Sequence, residues 1–273
     1  MVSSCDFGSD DPDIFLAEEI IVDYGYGPQN RQKMDVFLPE GRSSTTPVVI
    51  LIHGGFWVEG DKNDLLPVQQ QLLNVDIASV NLNYNYVSPV NDYRGLMADV
   101  ALALQKVKEN APDWGISNGQ YHLVGFSAGG HMAMLYGYEY RQAGEVATVV
   151  SVAGPVGLTP DLLENPILSG PLRLPLEWLT GASLPANAQD PNYAFYLNAS
   201  PITYGSKAVP TLLIHGTADQ IVPFEQSLAL KQALDLEGIN NRLVPLEGAS
   251  HDISESPLDM VKALLETTRW VRN

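Results

Sequence analysis

Residues 125–129 read Gly-Phe-Ser-Ala-Gly, with Tyr121-His122-Leu123-Val124 before them and an apolar run from Gly130 to Tyr140 after them. Apolar strand formers, then small residues, then a helical pattern predict strand, sharp turn and helix, with Ser127 at the apex of the turn. Glycines two before and two after it suit a turn too tight for side chains. Ser127 is the candidate nucleophile. Its hydroxyl is a poor one at neutral pH unless a base lies within hydrogen-bond reach and a carboxylate orients that base. Two later segments offer those groups. Thr211-Leu212-Leu213-Ile214 reads as a buried strand ending in His215-Gly216-Thr217-Ala218-Asp219, and Arg242-Leu243-Val244-Pro245-Leu246 leads into Glu247-Gly248-Ala249-Ser250-His251. The expected set is Ser127 as nucleophile, His251 as base and Asp219 as acid, each just past the carboxyl end of a predicted strand. Glu225 and Glu247 are the alternative acids, and Asp252, next to the base, is read as surface.

Attack on a carbonyl creates an oxyanion, which needs donors fixed in advance. Val48-Val49-Ile50-Leu51-Ile52 is a fully apolar run ending in His53-Gly54-Gly55-Phe56-Trp57, a loop able to present backbone N–H groups. The expected donors are the N–H groups of Gly55, Phe56 and Ala128, the last at a helix N-terminus, while Gly54 shapes the loop. Trp57, Tyr84 and Phe126 are expected to line the pocket, although aromatics beside buried strands usually pack into the core. Among the other histidines, His53 and His215 end strands and are expected to brace turns, and His122 lies within a strand. His131, on the helix after Ser127, is a further candidate for touching substrate. With no H-E-x-x-H and one cysteine, no metal site is expected, and acyl transfer of this kind needs no cofactor.

Taken together, these pieces resemble the α/β-hydrolase superfamily, and within it the esterases related to hormone-sensitive lipase, bacterial feruloyl and acetyl esterases and kynurenine formamidases. The resemblance rests on 53–57 with Gly60-Asp61-Lys62, on 125–131, on Ser200-Pro201, on Asp219 with Val222-Pro223, and on His251. The order Ser, Asp, His is that superfamily's order. Two positions depart from the relatives' pattern: Phe56 stands where hormone-sensitive-lipase-like chains have a third glycine, and Asn85 stands where relatives often carry arginine. The resemblance implies a serine carboxylesterase acting on short-chain acyl esters through an acyl-enzyme. An arylformamidase, a carbohydrate acetyl or feruloyl esterase, or a catalytically silent binding protein on the same fold are the alternatives.

The elements that must position these residues read as a mostly parallel sheet of about eight strands with helices on both faces, an α/β fold. Alternation at 16–26 and 32–38 predicts an antiparallel hairpin. Buried runs recur at 47–52, 77–82, 121–125, 146–153, 210–215 and 242–246. Helical patterns fall between most of them, at 64–74, 93–110, 129–142 and 224–237, with a last one at 257–271. Residues 157–206 break the alternation. Rich in proline and apolar residues, with little helical room, they are expected to form a small lid over the site. Such a cover predicts a short pocket, with p-nitrophenyl ester rates peaking at acetate to butyrate and falling beyond about eight carbons.

Length and composition fit one hydrolase domain over 16–273 behind a flexible N-terminus, 1–15. No apolar run approaches the ~18 residues of a membrane span. Acidic residues number 32 against 15 basic, a net charge of −17, which argues against nucleic acid and leaves a small-molecule ester as the expected partner. That charge suits a solubilising surface or a salty or cold habitat. Val2-Ser3-Ser4-Cys5 resembles the end of a bacterial lipoprotein signal, which would place the chain in the envelope; the other reading is a polar N-terminus with an incidental thiol and a cytoplasmic protein.

Overall fold

The computed structural model describes residues 15–158 and 170–273. Cys5 with the acidic stretch behind it, and the part of the expected lid at 159–169, lie outside the described residues. Eight strands form one sheet: β1 (Glu19–Gly25), β2 (Lys33–Leu38), β3 (Val48–Ile52), β4 (Ala78–Leu82), β5 (Tyr121–Phe126), β6 (Val146–Val152), β7 (Thr211–Gly216) and β8 (Asn241–Leu246). Their order across the sheet is β1-β2-β4-β3-β5-β6-β7-β8. The opening hairpin is antiparallel and joins β4 antiparallel through β2, while every pairing from β4 to β8 is parallel.

Parallel pairing requires crossovers, which cover both faces and make the strands apolar on both sides. β3 shows this: Val48, Ile50 and Ile52 belong to one core cluster, Val49 and Leu51 to the other. The first cluster holds the inner faces of α2 (Tyr93–Trp114) and α3 (Ala128–Leu135). The second holds Val68 and Leu72 of α1 (Leu66–Leu73) and Ala263 of the last helix. Asp92 caps α2 by accepting from Arg94 N–H, and Gly115 ends it in a left-handed conformation. The pattern at 129–142 resolves into α3 followed by a π-helical turn over Tyr136–Tyr140.

The 157–206 segment holds more helix than its prolines suggested. α4 (Arg173–Thr180) and α5 (Tyr193–Asn198) lie in it, and Pro175 sits in the first turn of α4, where its missing N–H removes no hydrogen bond. Leu176, Leu179 and Tyr196 are buried in the main core, so the described part, 170–206, is anchored. The remaining helices are α6 (Phe224–Leu236) and α7 (Pro257–Val271). None of the described helices is long and apolar enough to cross a membrane.

Candidate active site

The carboxyl ends of β3, β5, β7 and β8 meet at one edge of the sheet, where ligands of open α/β sheets bind. The turn from β5 into α3 places Ser127 at φ 52° and ψ −119°, a strained conformation for a residue with a side chain. The flanking glycines show why the turn closes only here. A Cβ on Gly125 would lie 2.1 Å from Gly129 O, and one on Gly129 would lie 2.0 Å from Ile52 O. Ser127 N–H donates to Val152 O at 2.8 Å, which pins the strained residue to β6.

Ser127 Oγ lies 2.9 Å from His251 Nε2, and His251 Nδ1 lies 2.7 Å from Asp219 Oδ2. With Nδ1 protonated and donating to the carboxylate, Nε2 is left as the acceptor of the serine proton. The other oxygen, Asp219 Oδ1, accepts from the N–H groups of Ile221 and Val222 at 2.8 and 2.9 Å. Burial alone would push the Asp219 carboxyl up. Hydrogen bonds from His215 and His251, the His251 charge and the Val222 N–H outweigh that and hold it well below the usual carboxylate range. Glu225, Glu247 and Asp252 are exposed.

His215 does more than brace its turn. Its Nε2 lies 2.8 Å from Val222 O and 3.1 Å from Asp219 Oδ2, and its Nδ1 lies 2.7 Å from Ser227 Oγ. Two acceptors at Nε2 assign the proton there, so Nδ1 accepts from the serine hydroxyl. Asp219 therefore sits between two imidazoles, a contact that the four-residue spacing of the pair does not announce when a turn intervenes.

The loop after β3 runs through three consecutive residues at positive φ: Gly55 at 105°, Phe56 at 49° and Trp57 at 63°. It touches the elbow, since a Cβ on Gly54 would stand 3.3 Å from Ser127 Cβ. Among the described residues, neither Gly55 N–H nor Phe56 N–H donates to a protein acceptor. Ala128, the first residue of α3, has an N–H with no intrahelical partner.

The three aromatic residues take different places. Phe126 lines the open groove at Ser127. Trp57 is buried, its Nε1–H donating to His131 Nδ1 at 3.3 Å, and it helps to wall a small cavity beside Ser127. Tyr84, expected in the pocket lining, is placed elsewhere. It stands beneath the loop, stacked on His53 with ring centroids 4.3 Å apart, its hydroxyl donating to His53 O and Gly54 O at 3.0 and 3.2 Å. It lines neither space at Ser127. His131 is likewise structural: fully buried, it accepts from Trp57 and its Nε2–H donates to Ala199 O at 2.7 Å. Burial lowers the His131 and His53 imidazoles to about 4, each against an opposing hydrogen bond to a carbonyl.

Arg31, in the turn between β1 and β2, carries no signal in the sequence that sets it apart from a solvated turn residue. In the structure it holds the underside of the loop. Its Nε donates to Tyr84 O at 2.7 Å, its Nη2 donates to Gly60 O at 3.1 Å and lies 3.4 Å from His53 Nε2, and its guanidinium lies 3.9 Å over the Tyr86 ring. Gly60-Asp61-Lys62 is anchored beside it, Lys62 Nζ pairing with Asp35 at 2.9 Å and Asp23 at 3.1 Å.

Two spaces open at Ser127. A groove of about 590 Å³ is bounded by Gly54, Gly55, Phe56, Phe126, His251 and Met260, with Ser127 in its wall. Adjoining it, and sharing Phe56, Ser127 and Ile221 with it, a small cavity of about 10 Å³ lies among Trp57, Ala128, Leu158, Leu176 and Val222. Leu158 and Leu176 come from the 157–206 segment, and Ser200 Oγ, accepting from Leu158 N–H at 2.8 Å, fixes that wall.

The sheet order, the strained serine turn between β5 and α3 and the strand-end placement of the other groups define an α/β hydrolase. Comparison with known proteins agrees. The chain belongs to the BD-FAE family, whose profile matches residues 34–234. It is 31% identical over 193 residues to the probable carboxylic ester hydrolase LipM of Mycobacterium tuberculosis, an alignment covering 68% of this chain and 44% of LipM. The chain spans about half the length of the curated relatives it matches. In fold it is similar to a truncated carbohydrate esterase from gut microbiota, with TM-score 0.74, 21% identity and coverage of 96% of this chain and 99% of that one. It is also similar to an inhibited esterase B from Lactobacillus rhamnosis, with TM-score 0.76, 23% identity and coverage of 93% and 86%.

Proposed function

We propose that the protein is a serine carboxylesterase that hydrolyses esters of short acyl groups through an acyl-enzyme intermediate. The observation that carries the reading is the continuous hydrogen-bond line from Ser127 Oγ through His251 to Asp219 at 2.9 and 2.7 Å. Ser127 Oγ attacks the ester carbonyl while His251 Nε2 takes its proton, and Asp219 steadies the imidazolium that results. The carbonyl oxygen, now negative, lies among the N–H groups of Gly55, Phe56 and Ala128. A donor of this kind contributes about 3–4 kcal/mol to the transition state. His251 then gives its proton to the departing alcohol oxygen, and water enters by the same route to release the acid.

The acyl group is directed at the small cavity among Trp57, Leu158 and Leu176, which at about 10 Å³ is the size of a single water and must widen for anything beyond acetyl. Residues 170–206 act there as a fixed cover, held to α3 by the bond from His131 to Ala199. LipM and esterase B, both named as ester hydrolases, support the class of reaction. Hydrolysis of p-nitrophenyl acetate together with covalent labelling by a fluorophosphonate tests the proposal. A protein that turns over no ester and takes up no label would end it.

A further inference from the structure

We propose that the cleft between α1 and α7 is a second subsite that receives an apolar alcohol group of the substrate, so that the ester joins a short acyl group to an alkyl or aryl alcohol. The inference rests on the serine-esterase reading and names the part of the substrate which that reading leaves open. The cleft is a cavity of about 300 Å³ on the sheet face covered by α1 and α7. Its floor is Val124 of β5 and Val152 of β6, short β-branched side chains that keep the floor low. One wall comes from α1, through Pro67, Val68 and Gln71. The other is the stripe of α7 at Met260, Ala263, Leu264 and Thr267, spaced as one helix face. Its lining carries no charged side chain, and the polar groups there are the amides of Gln70 and Gln71 and the Thr267 hydroxyl.

Continuity with the groove at Ser127 gives the cleft its occupant. Pro67, Val68, Phe126, Val152 and Met260 line both spaces, so a chain leaving the groove passes over Phe126 into the cleft without crossing a polar barrier. Val124 lies two residues along the strand from Phe126, about 7 Å deeper. Chemistry decides which half of the ester goes there. The departing alcohol oxygen must receive a proton from His251 Nε2, and His251 borders the groove but not the small cavity. The alcohol therefore leaves along the groove, toward the cleft. An apolar lining of this size favours an uncharged hydrocarbon over a sugar, whose hydroxyls would lose water there and find two amides and one hydroxyl in exchange.

The test varies the alcohol and keeps the acyl group constant. kcat/KM is measured for ethyl, butyl and hexyl acetate, with p-nitrophenyl acetate as the reference for intact chemistry. A buried methylene gives at most about fourfold in kcat/KM, so hexyl acetate should exceed ethyl acetate by about tenfold or more. Gln71→Trp and Val261→Trp, exposed positions on the two walls, then plug the cleft from outside. Each plug should bring the hexyl-to-ethyl ratio down to within about twofold of one while ethyl acetate turnover, whose alcohol is too short to reach the cleft, stays within about twofold of wild type. Thermal unfolding checks that both variants fold. Equal rates on all three alkyl acetates, or a ratio untouched by either plug in a folded protein, would overturn the subsite and leave the esterase reading standing. Failure to hydrolyse any acetate, p-nitrophenyl acetate included, would bring down both.

Discussion

Asp219→Asn removes one charge and keeps nearly the same shape, and the surroundings of Asp219 dictate how the site responds. Oδ1 accepts from two backbone N–H groups that cannot turn away, so the asparagine keeps its carbonyl oxygen there and directs its amide at the histidines. That amide can only donate, and it meets His251 Nδ1 at the 2.7 Å where the carboxylate accepted. His251 answers by moving its proton to Nε2, which then faces Ser127 Oγ with a hydrogen and cannot take the serine proton. His215 cannot relieve the conflict, because its own Nε2–H is committed to Val222 O at 2.8 Å. A wrong tautomer of this kind costs about 10⁴ in turnover in the established triad template, or ~5 kcal/mol of barrier. The loss should appear in kcat with KM nearly unchanged, since Asp219 is buried behind His251 and outside the groove wall. Steady-state hydrolysis of p-nitrophenyl acetate reads both constants. Activity within tenfold of wild type would refute the role of Asp219, and a larger loss from Glu225→Gln or Glu247→Gln would move the acid elsewhere.

Ser127→Ala should abolish ester hydrolysis and fluorophosphonate labelling while the unfolding midpoint barely moves, because the hydroxyl sits at a groove wall; residual turnover within tenfold of wild type would rule the serine out. Across p-nitrophenyl esters the rate should be highest at the short end, acetate to butyrate, and fall beyond about eight carbons, because the space walled by Leu158 and Leu176 is small. Sustained hydrolysis of long-chain triglyceride emulsions would contradict that. Burial lowers His53, His122 and His131 to about 4, so between the unfolded value near 6.5 and that point the unfolded chain binds protons the folded chain refuses. Stability is therefore full above about pH 6.5 and is lost as pH falls toward 4, on the order of 1 kcal/mol per pH unit for each histidine. The depressed Asp219 extends the loss, its contribution present above about pH 4 and declining below it. Urea midpoints at pH 7, 6 and 5 measure the slope, and a midpoint that rises on acidification would refute it.

Strands β3 to β7 were legible because strands buried between two helical layers read as apolar runs, and the opening hairpin because it alternates; the groups that meet at the site stand within a few residues of where the strands stop. The direction a side chain takes after the strand ends was not legible. Tyr84 follows β4 as closely as Phe126 ends β5, yet one props the loop from beneath and the other walls the groove. β3 lies between β4 and β5, and the His53 ring past its end stacks on Tyr84. The cleft between α1 and α7 was hidden for the same reason, since its width is a distance between two helices far apart in the chain. Asn85 shows the limit of a motif most plainly. It stands where related chains often carry arginine, and the structure has Asn85 bonded to Asp99 through both its backbone N–H and its amide, at 2.7 and 2.8 Å. A guanidinium nonetheless stands beneath the loop after β3, supplied by Arg31 from the opening hairpin. A pattern read along the chain registers only that an arginine is missing from its usual place. The loop needs a fixed donor beneath its carbonyls, and the fold can deliver one from any element that reaches there.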